Sequence, residues 1–282
     1  MEQLAQFAKR KVDLMEKTVV LITGASSGIG LRTAIDLANA GYTVYGGARR
    51  VDPMQPIVEA GGSALALDVT DDASMQAAVD LVIEQEGRID VLVNNAGYGL
   101  YGAVEDIPMD DARRQIETNI IGLARMTQLV LPHMRAQESG RVINLSSIGG
   151  TIHTPLGAWY HGTKWFVEGF TNSLRLEVED KGILPILIAP GLIDTGFGNV
   201  VGELVQRFSG EGAYKTLANK LANATEVKMS EPQVISDAIR RAIQDRKPKT
   251  IYRAGKYARL LPTLRRILPH RWFDKVVMMA VR

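Results

Sequence analysis

Tyr160 and Lys164 stand four residues apart in a stretch patterned as a helix, so both side chains lie on one face. A phenol with a pKa of about 10 exchanges protons poorly at neutral pH, and a nearby ammonium favours the phenolate and brings that value down. The pair is therefore a credible general acid/base unit. Ser147, the second of two serines closing a β-rich run, precedes Tyr160 by thirteen residues. A hydroxyl there could donate to a substrate oxygen as charge develops on it. Asn119 lies in the long helical stretch before that run. A Tyr and a Lys at this spacing also occur on ordinary helix surfaces, so the weight falls on what surrounds them.

The sequence Thr23-Gly24-Ala25-Ser26-Ser27-Gly28-Ile29-Gly30 joins the first β-branched run to the first helical stretch. Glycines allow a tight turn and a close backbone approach to a pyrophosphate, and the helix N-terminus offers unpaired N–H groups to an anion. The second strand ends at Arg49 and Arg50, where an NAD-specific site would place a carboxylate for the ribose 2′-hydroxyl. Guanidinium groups suit a 2′-phosphate instead, which predicts NADP(H); solvated surface arginines, with Asp52 close by, are the plainer alternative. Ser26 or Ser27 could add a hydroxyl donor. Asp68 and Val69 follow the third strand, where Asp68 could accept from an adenine amino group or cap the next helix near Thr70. Asn94-Asn95-Ala96-Gly97 follows the fourth strand, and Asn95 suits either a loop tie or a cofactor contact.

The elements that must position these groups alternate. Short β-rich runs are predicted at 18–22, 42–45, 64–67, 91–93, 141–145, 184–189 and 250–252. Helices are predicted from the glycine turn through Ala40, stopped by Gly41, and at 71–86 with Thr70 as N-cap, 110–135, 158–181 and 231–244. This rhythm implies βαβ units, hence an α/β fold with a doubly wound parallel sheet in a single Rossmann-type domain. The catalytic domain is expected over 17–252, after an N-terminal extension (1–16) and before a basic C-terminal extension (253–282). The 282 residues, 46% hydrophobic and 23% charged, suit such a domain. A net charge of +2 gives no reason to expect nucleic acid as a partner. The absence of cysteine excludes disulfides and thiolate chemistry, and the four histidines form no metal-binding spacing. No apolar run suits a membrane span or a secretory signal, which makes a cytoplasmic location the default expectation.

The glycine pattern, Asn-Asn-Ala-Gly, the serine and Tyr-x-x-x-Lys occur in the order and spacing of the short-chain dehydrogenase/reductase family, which residues 17–252 resemble. The resemblance implies hydride exchange between NADP(H) and a carbonyl or alcohol. On this reading Tyr160 exchanges the proton, and Lys164 lowers its pKa and binds the nicotinamide ribose. Ser147 polarises the carbonyl, and Asn119 holds a water linking Lys164 to solvent. Gly24, Gly28 and Gly30 match the family's glycine pattern. Pro190 and Gly191, with Ile193 and Thr195, resemble the segment that holds the nicotinamide amide. The chain most resembles the branch containing hydroxysteroid and retinol dehydrogenases. Association into a homodimer or homotetramer through the helices of Asn119 and Tyr160 is also implied.

Ile148, Ile152, Leu156, Trp159, Ile193, Phe197 and Phe208 are expected near the substrate, which favours a small hydrophobic carbonyl or alcohol. The glycine-dotted 195–230 segment is expected to form a mobile substrate lid. His153 could rim the pocket, whereas His161 is expected to pack or face solvent. Residues 246–282 hold eleven Lys/Arg against one acid, Asp274. A basic amphipathic tail of this kind could touch a membrane peripherally, cover the pocket or meet another subunit. A catalytically idle NADP(H) sensor or scaffold is the competing function, and a sugar-nucleotide epimerase or dehydratase is a third.

Overall fold

The computed structural model describes residues 18–223 and 229–280, so the expected extension over 1–16 lies outside the described residues. The chain opens with β1 (Val19–Thr23), every residue of it buried. Val20 and Ile22 enter one apolar cluster while Val19 and Leu21 enter another, so both faces of this strand are covered. Then come α1 (Gly28–Asn39) and β2 (Thr43–Ala48), with Gly41 at φ +88° ending the helix as expected. A short α2 (Gln55–Glu59), absent from the sequence expectation, leads to β3 (Ser63–Ala66). Next are α3 (Asp72–Glu86) and β4 (Val91–Asn94).

The N-cap of α3 is Asp71 rather than Thr70: its carboxylate accepts from Ala73 N at 3.0 Å. The Thr70 hydroxyl is committed elsewhere, donating to Asp68 Oδ1 at 2.8 Å. The expected single helix over 110–135 is three pieces: α4 (Met109–Ile116), a π-helical stretch (Glu117–Gly122) and α5 (Leu123–Ala136). Gly122 in the wide turn lies so close to the loop after β3 that a Cβ there would stand 2.3 Å from Val69 O.

The remainder runs β5 (Gly140–Leu145), α6 (Ala158–Val178), β6 (Ile183–Pro190), α7 (Phe197–Ser209), α8 (Lys215–Asn223), α9 (Gln233–Gln244), β7 (Ile251–Ala254), α10 (Leu260–Ile267) and α11 (His270–Ala280). The seven strands form one parallel sheet in the order β3-β2-β1-β4-β5-β6-β7. Residues from α1 and α9 (Leu37, Ile235, Ile239) pack on one face, and residues from α3, α5 and α6 (Val79, Met126, Leu174) on the other. The strand order reverses between β1 and β4, which opens a crevice at their carboxyl ends. Buried amides brace that edge. Asn94 Nδ2 donates to Asn144 Oδ1 at 2.9 Å and to Thr127 Oγ1 at 3.0 Å, and Asn144 Nδ2 donates to Thr171 Oγ1 at 2.9 Å. Among the described residues no helix is long and apolar enough to cross a membrane.

The cap assignment gives a direct expectation. Asp71→Ala should lower unfolding free energy by about 1 kcal/mol in urea titration. A smaller loss than that of Thr70→Ala would return the cap to Thr70.

Candidate active site

The crevice is built first by the loop after β1. Gly24, at φ +69°, lies so close to β4's continuation that a Cβ there would meet Ala96 Cα at 2.7 Å. A Cβ on Gly30 would stand 2.5 Å from Gly24 O and 2.4 Å from Asn95 Nδ2. Asn95 is the tie that sets this spacing: its Nδ2 donates to Thr23 O and Gly24 O, both at 3.0 Å. The Thr23 hydroxyl in turn accepts from the main-chain N–H groups of Asn95 and Ala96. Asn95 thus performs the loop-tying role. Ser27 stands at the N-cap of α1 but spends no side-chain hydrogen bond there, while Ser26 is half-buried and Ile29 packs on the core. The loop is a main-chain trough, packed at Gly24 and Gly30 too closely on its own surroundings for a Cβ, at the start of a helix. That is the shape and polarity a pyrophosphate needs.

Around the trough, Ala25 N donates to Gly47 O at 3.1 Å, which sets the end of β2 beside it. Arg49 and Arg50 follow there, both exposed, and among the described residues neither pairs with a carboxylate. Asp52 opens a separate 3-10 turn. Asp68 accepts from Thr70 N and Oγ1, so its turn-forming role is realised, and Val69 is buried in the core. A Cβ on Gly97 would meet Asn119 Oδ1 at 3.0 Å. On the opposite wall, β6 ends at Pro190, and Gly191 passes so near β7's continuation that a Cβ would stand 2.0 Å from Lys256 O. The Thr195 side chain reaches the glycine loop, 3.2 Å from where a Cβ of Gly28 would be.

Tyr160 lies in the first turn of α6 and is buried, its ring 5.5 Å from Tyr101 and 5.4 Å from Phe197, centre to centre. Burial pushes its pKa up to about 12, and a hydrogen bond with Ser147 opposes that rise. Lys164, one turn on, is also buried. Its ammonium sits 5.9 Å from the Tyr160 ring centre and donates to Leu145 O at 2.7 Å. Burial pulls it down to about 8. The net shift of Tyr160 is thus opposite to the acidification expected from Lys164: desolvation of the phenolate is the larger cause, and the group that opposes it is Ser147.

The two serines divide their work. Ser147 Oγ accepts from Gly149 N at 3.0 Å and bonds with Tyr160; Ser146 Oγ donates to Glu168 Oε1 at 3.0 Å. Glu168 continues the Tyr160–Lys164 stripe by one more turn, and burial raises its pKa. The sequence reading missed it, although the i, i+4, i+8 spacing was its signal. Asn119, in the π-helical turn, donates to Tyr98 O at 2.9 Å and Thr163 Oγ1 at 3.1 Å, and accepts from Tyr98 N. Thr163 donates onward to Tyr160 O at 2.8 Å, so Asn119 reaches α6 through Thr163.

Of the histidines, His161 packs edge-on against the Tyr160 ring, 5.8 Å centre to centre, but its hydrogen bonds go elsewhere. His161 is buried: Thr154 N donates to its Nε2 at 3.0 Å, so Nδ1–H donates to Gly149 O at 3.0 Å, and burial holds its pKa below the usual value. The structure gives His153 to the C-terminal helix and not to the pocket, with Nε2 2.8 Å from Asp274 Oδ1. The expected lining also divides. Leu156 and Phe197 cluster with Tyr160, Trp159 and Phe208 pack beside Leu100, Ile193 joins the main core, and Ile148 and Ile152 are covered by α10 and α11. An open cleft beside the Tyr160 cluster is lined by Ala103, Val104, Glu105, Pro155, Leu156, Tyr214 and Leu217, so one carboxylate, Glu105, stands among the apolar groups. The expected lid is helical where described: α7 and α8 bring Phe197, Val201, Val205 and Leu217 against Tyr101 and Tyr160. No cluster of metal-ligating side chains occurs among the described residues.

A parallel sheet with this switch point and glycine loop defines a Rossmann-type nucleotide fold. Comparison narrows the class. A family model described as short chain dehydrogenase matches residues 18–204. A 3-ketodihydrosphingosine reductase of Bacteroides thetaiotaomicron is 42% identical over 183 residues, covering 65% of this chain and 66% of that protein. The oxidoreductase YbbO of Escherichia coli (strain K12) is 32% identical over 94% of this chain and 95% of its own length. The closed form of a serine dehydrogenase complexed with NADP+ superposes with TM-score 0.74 at 26% identity, covering 86% of this chain and 96% of that one. The protein belongs to the short-chain dehydrogenase family and is an oxidoreductase using a nicotinamide dinucleotide.

The trough makes a sharp demand on Gly30. Gly30→Ala should cost about 1–3 kcal/mol of stability through overpacking and should weaken dinucleotide binding. Unchanged melting and unchanged nucleotide titration would show that the loop has room to relax.

Proposed function

We propose that the protein is an NADP(H)-dependent reductase of small hydrophobic ketones or aldehydes, running in reverse on the corresponding alcohols. The observation that carries this reading is the position of Tyr160. It is buried under Tyr101 and Phe197, hydrogen-bonded to Ser147 and one turn from Lys164, with a cleft beside its cluster lined mostly by apolar side chains and by Glu105. The dinucleotide, when bound, supplies or accepts the hydride. Gly24, Ser26, Ser27, Gly28, Ile29 and Gly30 would hold its pyrophosphate by main-chain N–H groups and hydroxyls. Asp68, Val69, Ala96 and Gly97 would flank its adenosine half. Pro190, Gly191, Ile193 and Thr195 would bound the nicotinamide end, and Arg49 and Arg50 would bind the 2′-phosphate.

On this reading the chain's own chemistry is a proton transfer. A phenol held near 12 by burial is protonated at neutral pH, the state required of an acid in carbonyl reduction. Ser147 donates to the carbonyl oxygen and orients it, and Tyr160 gives that oxygen its proton. The Lys164 ammonium then stabilises the phenolate left behind, because charge developing on the ring oxygen strengthens an attraction that the neutral phenol does not feel. Asn119 fixes the catalytic helix through Thr163, and by family resemblance holds a water on the path from Lys164 to solvent. The 42% identical relative is by name a ketone reductase, which supports the carbonyl class.

The outward face of α6 supports association into a homodimer or homotetramer. Trp165 and Leu176 are exposed on it, and Gly162 and Gly169 leave open space there, so a partner helix could approach closely.

Tyr160→Phe should bind NADPH as the parent does while carbonyl turnover, followed by NADPH absorbance across a panel of ketones and aldehydes, falls by about 10²–10⁴-fold. Parental turnover in that variant would refute the assignment. Removing both guanidinium groups (Arg49→Ala with Arg50→Ala) should weaken NADPH by about tenfold to a hundredfold, the worth of charge-assisted bonds. NADH should be nearly unaffected, and equal losses for the two coenzymes would assign the arginines no part in the choice.

A further inference from the structure

Two short helices, α10 and α11, end the described chain. Their inner sides are accounted for: Leu261, Leu264, Leu268, Phe273 and Val277 pack against Ile148 and Ile152, just downstream of Ser147. His153 and Asp274 clamp the same junction. Their outer sides are apolar as well. Leu260 and Ile267, seven residues apart, are 53% and 71% exposed; Trp272 and Met279, also seven apart, are both 63% exposed. Seven residues make nearly two helical turns, so each pair forms a stripe along its helix.

Cations edge both stripes. Arg259 and Arg266, again seven apart, run beside the first, while Arg271 and Lys275 run beside the second, all exposed. The Lys275 ammonium lies 5.2 Å from the Trp272 ring centre. The one acid of this tail, Asp274, is turned to His153. A surface helix ordinarily presents a polar outer face, and a clustered apolar one marks a contact.

We propose that α10 and α11 seat the protein on an anionic membrane surface. Leu260, Ile267, Trp272 and Met279 enter the headgroup–acyl boundary, and Arg259, Arg266, Arg271 and Lys275 stay at the phosphates. Charge complementarity selects this occupant. A second copy meeting the same face about a two-fold axis would bring rows of cations against rows of cations. The seat adjoins the segment that follows Ser147, so the rim of the catalytic region would lie near the lipid. The inference does not rest on the redox reading, because vesicle binding is measured without turnover.

The test is co-sedimentation of the full chain with vesicles of phosphatidylcholine alone or mixed with phosphatidylglycerol. The protein should pellet with the mixed vesicles at low salt and bind at least about tenfold less to phosphatidylcholine or at high salt. Ile267→Asp combined with Trp272→Asp should reduce binding about tenfold or more, with melting and NADPH binding unchanged. Leu260→Asp with Met279→Asp tests the same stripes should the first pair misfold. Arg266→Glu with Lys275→Glu should lose the preference for phosphatidylglycerol. Protein left in the supernatant with mixed vesicles, equal binding to both lipids or undiminished binding by the folded variants overturns the proposal. So does a dimer in size-exclusion chromatography that Trp272→Asp splits, which would assign the face to a second copy.

Discussion

Keeping a phenol and an ammonium out of water side by side is the constraint around which this molecule is arranged. Desolvation moves the two groups in opposite directions, Tyr160 up to about 12 and Lys164 down to about 8. Holding them there requires walls. Tyr101 and Phe197 cover the ring, Leu145 O receives the ammonium, and Ser147 meets the hydroxyl. The β5 carboxyl end supplies both Leu145 and the serines, so the position of this strand fixes three contacts at once.

The sheet edge is stiffened by amides and hydroxyls rather than by charge. Asn94 and Asn144 link β4 to β5 and to two helices, and Asn95 fastens the glycine loop to β4. Ser146 and Glu168 fasten the end of β5 to α6. A buried hydrogen bond contributes only about 0.5–1.5 kcal/mol net, but an unpaired partner costs more, so such links specify position more than they add stability. Gly150 shows how closely this corner is fitted: a Cβ there would come within 2.7 Å of both Ser146 Oγ and Glu168 Oε1.

Most of the sheet was legible because its strands carry apolar residues on both faces, and the glycine turn because its spacing has a mechanical purpose. The misses have identifiable causes. Thr70 and Asp71 are both good cap residues, and the choice was made by Asp68, which occupies the Thr70 hydroxyl. Gly198 and Gly202 argue against a helix by propensity, yet Phe197, Val201 and Val205 recur every fourth residue, and their packing on Tyr101 and Tyr160 overrides it. Ile148 and Ile152 were apolar beside the serine, but the tail covers them, a contact over more than a hundred residues that local pattern does not encode. The positions of Tyr160, Lys164 and Ser147 were legible from spacing; the sign of the pKa shift was not, because burial is a tertiary property.

The wide turn at Glu117–Gly122 makes chain length itself a specification. A π turn, closed i→i+5, takes about one residue more than an α turn for nearly the same rotation, so trimming one residue there would let the stretch close to ordinary winding while α4 and α5 kept the faces they present. What would be lost is the bulge that carries Asn119 to Tyr98 O and Thr163 Oγ1. A change of a single codon's length would detune the site while leaving the packing of α5 on the sheet in place.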